Sequence, residues 1–225
     1  MIVTAGMIGV GKTTVATILS QDLGIDLYRE NVDGNDILPL FYTASDEEQM
    51  AKRYPFLLQL EFLTSRYRDI KSALHGKPAV MDRSIYEDWY FAKINTELGR
   101  ISEVEFNLYA KLLEEMMQEI EEFNKKAPDL MVYLYASFDT IMDHIGMRGR
   151  SFEQDDSLIS YYRKLWEGYD YWVHHHYSAS PVLMVNGDKF DFFVDDDRTA
   201  LVESVKELLA HPREGFIELA DMVGR

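Results

Sequence analysis

Gly6-Met7-Ile8-Gly9-Val10-Gly11-Lys12-Thr13 satisfies G-x-x-x-x-G-K-[ST] at every specified position, and each residue type in that pattern has a chemical reason. Gly6 and Gly11 let the backbone turn so that successive N–H groups point inward at phosphate oxygens. Lys12 neutralises charge on the outer phosphates, and the Thr13 hydroxyl can ligate Mg²⁺. An apolar run, Ile2-Val3-Thr4-Ala5, precedes the loop, and a helix through Ala16 and Leu19, stopped near Gly24, follows it. The start of that helix adds its positive dipole end to the site. The expected nucleotide site takes in Gly6, Met7, Ile8, Gly9, Val10, Gly11, Lys12, Thr13 and Thr14.

Outward from this turn, short β-like runs alternate with helical stretches, the order of a parallel sheet covered by helices on both faces. Five runs read as strands: 2–5, 26–30, 79–82, 130–134 and 182–185. The fold class is therefore α/β, a P-loop NTPase-type five-stranded parallel sheet flanked by helices. Residues 56–74 read as a helix, and Ser102 with Glu105 forms a capping box before a long amphipathic helix. In that helix Leu108, Leu112, Met116 and Ile120 recur every four residues. A last helix is expected near 199–209. One domain over residues 1–210 is expected, with 211–225 as a tail that has room for an extra helix.

A phosphate loop alone does not separate kinases from switches or other ATPases. The distinction lies in what else faces the outer phosphate. Asp82-Arg83-Ser84 ends a strand, at the edge where open parallel sheets bind ligands. An aspartate there can hold Mg²⁺, and the arginine beside it can steady a transferring phosphoryl group. Arg148-Gly149-Arg150 ends a helix and suits a lid over 148–156 that brings two guanidinium groups to the phosphates. Glu30, at the end of the second run, can accept the proton of an attacking hydroxyl. No Asn-Lys-x-Asp segment is present, which sets aside a guanine-reading switch.

The chain has 225 residues, 47% of them apolar and 28% charged, the balance of a globular domain. Its net charge of −16, from 39 acidic and 23 basic residues, repels a phosphate backbone, so nucleic-acid polymers are poor partners. Without cysteine it has neither disulfides nor thiolate metal sites, which suits a reducing cytoplasm. No apolar run reaches the roughly 18–20 residues of a membrane span, and the early phosphate loop leaves no room for a signal peptide.

With these segments in order, the chain resembles the deoxynucleoside kinase family, especially its bacterial deoxyadenosine/deoxyguanosine branch. The resemblance runs from the phosphate loop to about Val194. It is most specific in Asp82-Arg83-Ser84-Ile85-Tyr86-Glu87-Asp88, Pro128-Asp129-Leu130-Met131-Val132-Tyr133 and Arg148-Gly149-Arg150-Ser151-Phe152-Glu153-Gln154. It implies ATP- and Mg²⁺-dependent phosphorylation of the 5′-hydroxyl of a purine deoxynucleoside. Glu30 would be the general base with Arg83 beside it, Lys12, Arg148 and Arg150 the charge-stabilising cations, and Thr13 and Asp82 the residues at the metal. Gln59, with Arg66 and Asp88, would select the base, and Tyr42 with Glu153 would hold the sugar 3′-hydroxyl. The Asn186-Gly187-Asp188-Lys189-Phe190 turn, through Asp188 and Phe190, would cover the ATP base. His144 stands where many relatives carry a lid arginine. A homodimer paired through long helices is implied as well. Two alternatives remain open: a thymidylate-type nucleoside monophosphate kinase, and a nucleotide-binding accessory protein without catalysis.

Other features have plainer readings. His174-His175-His176 reads as a solvent-facing run, since consecutive helical residues point in different directions. Met116-Met117 reads as core or a dimer surface. Tyr161, Tyr162, Trp166, Tyr169 and Trp172 have helical spacing and read as packing.

Overall fold

The five apolar runs all become strands, and their order in space explains why the phosphate loop lies at the centre. The computed structural model describes residues 1–32, 34–121 and 128–224. β1 (Ile2–Gly6), β2 (Asp26–Tyr28), β3 (Ala79–Asp82), β4 (Leu130–Tyr135), β5 (Val182–Asn186) and β6 (Phe216–Glu218) form one sheet in the order β2-β3-β1-β4-β5-β6. All five pairings are parallel, with Thr4 opposite Asp82 on one side of β1 and Ala5 opposite Tyr133 on the other. Every residue of β1 and β3 is buried, because helices cover both faces. The carboxyl ends of β1, β2 and β3 therefore open on the same edge.

Around the sheet lie α1 (Lys12–Leu23), α2 (Ile37–Thr43), α3 (Asp46–Lys52), α4 (Tyr54–His75), α5 (Asp88–Glu97), α6 (Glu103–Glu121), α7 (Phe138–Arg148), α8 (Ile159–His176), α9 (Asp195–Ala210) and α10 (Leu219–Val223). α1 packs on β1 and β3 and is closed by Gly24 in the left-handed conformation. The predicted capping box is present: the Ser102 N–H donates to Glu105 at 2.8 Å and the Glu105 N–H to the Ser102 hydroxyl at 3.3 Å. Ser137 caps α7 in the ordinary way, its hydroxyl accepting from the Thr140 N–H at 3.3 Å.

Two expectations are corrected. The sheet has six strands, not five, because Phe216–Glu218 in the tail adds a strand beside β5. Three residues are too few to show an alternating pattern. The strand exists because β5 offers an open edge, with the Val182 N–H donating to the Gly215 carbonyl at 2.9 Å. Leu219 and Ala220 behind it are buried. The second strand stops at Tyr28, so Glu30 lies in the loop beyond it rather than at its end. The short helix α2 had no separate signal in the sequence, whereas Ser45-x-x-Glu48 ahead of α3 and Ser84-x-x-Glu87 ahead of α5 fit the capping-box pattern.

Candidate active site

At the carboxyl edge of β1 to β3 lies a cavity of about 950 Å³, within the range of small-molecule sites. Residues 8–14 line it on one side. Gly6 is required at its place: at φ +140° an added Cβ would lie 2.4 Å from the Leu134 carbonyl oxygen. Gly9, at φ +85°, lies so close to α7 that a Cβ would come within 2.7 Å of Ile145 and 3.1 Å of the Ile141 carbonyl. The loop tip is thus seated on α7, where His144 Nδ1 lies 3.0 Å from the Gly9 carbonyl. Gly6 and Met7 form the loop's buried root rather than the cavity wall.

Lys12 is 7% exposed and its ammonium donates to the Met7 carbonyl at 2.8 Å. Burial, helped by the Arg83 charge, brings its pKa down to about 7. The Thr13 hydroxyl donates to Asp82 Oδ2 at 2.6 Å, and Asp82 Oδ1 is buried with no hydrogen-bond partner among the described residues. An orphaned carboxylate oxygen beside a hydroxyl is a hard-oxygen pair that fits Mg²⁺, an ion that retains water and phosphate ligands. The described residues contain no cluster of three acidic or imidazole groups that would form an all-protein cage.

Opposite the loop, charges alternate. Glu30 lies 3.2 Å from Arg83 Nε and also pairs with Arg66, whose other arm holds Asp88. Burial opposes ionisation of Glu30, but the charges of Arg83, Arg66 and Lys12 prevail and hold its carboxyl down to about 2. Arg83 is in the left-handed region at φ +69°, a strained conformation for a side chain with a Cβ. Gln59 lines the cavity and is 4% exposed, and no group among the described residues pairs with its amide. Arg66 Nε is likewise buried and unpaired.

The predicted lid follows α7, which ends at left-handed Gly149. Arg148 and Arg150 both turn to Glu153, at 2.5 and 3.4 Å, so the two cations share one buried carboxylate. Tyr42 stacks on Phe152 at 5.5 Å, and burial pushes its hydroxyl well up. Phe190 is buried and lines the cavity beside Phe192 and Phe193.

The structure thus brings residues 8–14 to one cavity with Glu30, Tyr42, Gln59, Arg66, Asp82, Arg83, Arg148, Arg150, Glu153 and Phe190. Asp88 stands behind Arg66 with no exposure. Asp188 also stays outside the cavity lining: its carboxylate accepts from the Ser137 N–H at 2.7 Å and the Thr140 hydroxyl at 2.6 Å, at the start of α7. Sequence reasoning missed Glu87 and Tyr169, which meet beneath the phosphate loop. Ser84-x-x-Glu87 fits the capping-box pattern, a signal that was there to be read. Tyr169 was legible only as one aromatic among several.

The family model for deoxynucleoside kinases matches residues 2–210. The chain is similar to a deoxyguanosine kinase of Lactobacillus johnsonii, 42% identical over 209 residues that cover 91% of this chain and 90% of that protein. It is equally similar to a deoxyadenosine kinase of Lactobacillus acidophilus, 42% identical over 217 residues covering 95% and 97%. Among solved structures it shares its fold with deoxyadenosine kinase from M. mycoides with bound dCTP. The TM-score is 0.74 at 24% identity, over 93% of this chain and 99% of that one. These matches lend no support to the monophosphate-kinase or accessory-protein alternatives. No helix among the described residues is long and apolar enough to cross a membrane.

Proposed function

The chain belongs to the deoxynucleoside kinase family, and from that premise we propose that it transfers the γ-phosphate of ATP to the 5′-hydroxyl of deoxyadenosine, deoxyguanosine or both. The observation that carries this reading is Glu30: an ionised carboxylate between Arg83 and Arg66, in the same cavity as the phosphate loop. A phosphorylated acceptor would be repelled by that carboxylate, whereas a neutral hydroxyl can donate to it. The purine preference rests on similarity to the two lactobacillus enzymes and on Gln59, whose free amide offers a donor and an acceptor to a base edge.

In the proposed reaction the 5′-hydroxyl donates its hydrogen bond to Glu30. Because that carboxyl is held at about 2, the proton moves late, as the O–P bond forms and the hydroxyl becomes acidic. The γ-phosphorus leaves the β-phosphate oxygen, and ADP and the 5′-monophosphate result. Lys12, Arg148 and Arg150 spread the developing charge, the two lid arginines turning from Glu153 to the phosphates. Glu153, released, and Tyr42 take the sugar 3′-hydroxyl. Mg²⁺ at Thr13 and Asp82 would supply charge neutralisation on the outer phosphates. Phe190 covers the ATP base, with Asp188 placing that loop through its bonds to the start of α7.

We further propose a cytoplasmic homodimer in which α6 pairs with a second copy. Val104, Leu108 and Leu112 lie four residues apart on one ridge and are 79%, 62% and 39% exposed.

The testing experiment is a coupled ADP-release assay with ATP and Mg²⁺ against the four deoxynucleosides and their monophosphates. Turnover of a purine deoxynucleoside, reduced on the order of 10²–10⁴-fold in Glu30→Gln, is expected. Turnover confined to monophosphates, or a Glu30→Gln rate near wild type, would overturn the assignment.

A further inference from the structure

Beneath the phosphate loop, on the side away from the cavity, lies a carboxyl group that the reaction above does not use. Glu87 has no exposed surface. Its Oε1 accepts from the Gly6 N–H at 3.2 Å, from Arg83 Nη1 at 2.9 Å and from the Tyr169 hydroxyl, and its Oε2 accepts from the Ser84 N–H at 3.4 Å. Arg83 Nη2 meanwhile donates to the Gly6 carbonyl at 3.1 Å. Glu87 and Arg83 therefore grip the peptide units on both sides of Gly6, and the Arg83 side chain is bound along two edges.

We propose that Glu87, oriented by Tyr169, is a positioning residue for phosphoryl transfer: it locks Arg83 so that its Nε faces Glu30, and ties that arginine to the root of the phosphate loop.

Three observations lead there. First, Arg83 holds a left-handed backbone at φ +69°, and such a conformation persists only where its surroundings over-determine it. The bonds from Glu87 to the Ser84 N–H and the Arg83 guanidinium bracket that residue. Second, with Nη1 held by Glu87 and Nη2 by Gly6, Arg83 has Nε left for Glu30, at 3.2 Å. The distance between the phosphate loop and the hydroxyl-binding carboxylate is thereby set through one rigid guanidinium. Third, a wholly buried carboxylate is a costly way to fill space, and apolar groups of similar size serve stability as well or better. Tyr169 supplies the direction. Its ring stacks on Tyr133 at 5.8 Å and meets Tyr90 edge-on at 5.0 Å, so α8 fixes where its hydroxyl points. That hydroxyl also lies 3.2 Å from the Gly6 nitrogen and 3.3 Å from Arg83 Nη1.

The inference rests on the kinase reading, so wild-type turnover is measured first; a silent wild type would overturn that reading and the clamp with it, whereas failure of the clamp alone shows in an active wild type. In an active protein, Glu87→Gln places an amide NH₂ among donors. It is expected to lower kcat by about 30-fold or more while the Kd for ATP, by calorimetry, stays within about threefold. A double-mutant cycle then separates positioning from packing. If Glu87 acts through Arg83, the loss on Glu87→Gln shrinks to less than about threefold in an Arg83→Lys background, read in single turnovers. Should Glu87→Gln fail to fold, Tyr169→Phe, which deletes one hydroxyl, carries the same cycle with an expected loss of about threefold to tenfold, again absent beside Arg83→Lys. An unchanged kcat, losses that simply add, or kcat and ATP affinity falling together would overturn the proposal.

Discussion

Glu30 shows how a side chain of ordinary type acquires an unusual state. Its carboxyl is held down to about 2 by Arg83, Arg66 and Lys12 against the cost of burial. A folded value below the ordinary carboxylate value of about 4.3 means that this charge stabilises the fold fully above that pH. The contribution is then lost as pH falls toward the folded value. For turnover the consequence is an absence of change: Glu30 remains ionised throughout the working range. The kcat profile from pH 5 to 8 should therefore carry no acid limb that Glu30→Gln removes. A limb near pH 5–6 that the substitution abolishes would mean the two arginines do not hold Glu30 in the working enzyme. Asp82 shows the complementary case. Its Oδ1 is buried in the cavity wall without a partner among the described residues, a cost that the proposed cation would relieve.

Between elements, the contact that organises the site is the seam between the phosphate loop and α7. Gly9 approaches Ile141 and Ile145 too closely for any side chain, and His144 reaches back to the Gly9 carbonyl. The helix that ends in Arg148 and leads into Arg150 is thus registered directly on the loop proposed to hold the phosphates. Gly9→Ala should lower stability by about 1–2 kcal/mol from the left-handed backbone alone and, by prising α7 off the loop, weaken ATP binding at least about tenfold. Gly24→Ala is the control. That glycine is also left-handed, at φ +65°, but a Cβ there meets nothing within 4 Å. It should show the backbone cost in denaturant unfolding and leave ATP affinity unchanged. Equal ATP affinities for the two variants would show that the seam has no bearing on nucleotide binding.

For the whole molecule, α6 has two faces. Phe106, Tyr109, Leu113 and Ile120 are buried against the core, whereas Val104, Leu108 and Leu112 face outward. Leu108→Glu, a change on an exposed ridge, should leave the fold intact and convert a dimer to a monomer in sedimentation velocity. A wild-type monomer at micromolar concentration would overturn the homodimer. The fold was legible where signals are local. Consecutive apolar residues, glycine stops and capping boxes made β1, α1, α6 and the positions of five strands along the chain readable, because each reflects the backbone preference of a few adjacent residues; their order in the sheet was not. β6 was not readable, since three residues gain strand geometry only from the open edge of β5. By itself the sequence determined the G-x-x-x-x-G-K-[ST] turn, the α/β class and the acidic and basic residue types available to the cavity. Tertiary structure alone decided which of them meet. It placed Asp88 and Asp188 as supports outside the cavity lining, paired both lid arginines with Glu153, and assembled Glu87, Tyr169 and Gly6 around Arg83. Those groups are as far apart as 163 positions along the chain. Sequence periodicity records the path of a segment, whereas the partner a charge finds across the fold depends on how helices and sheet pack.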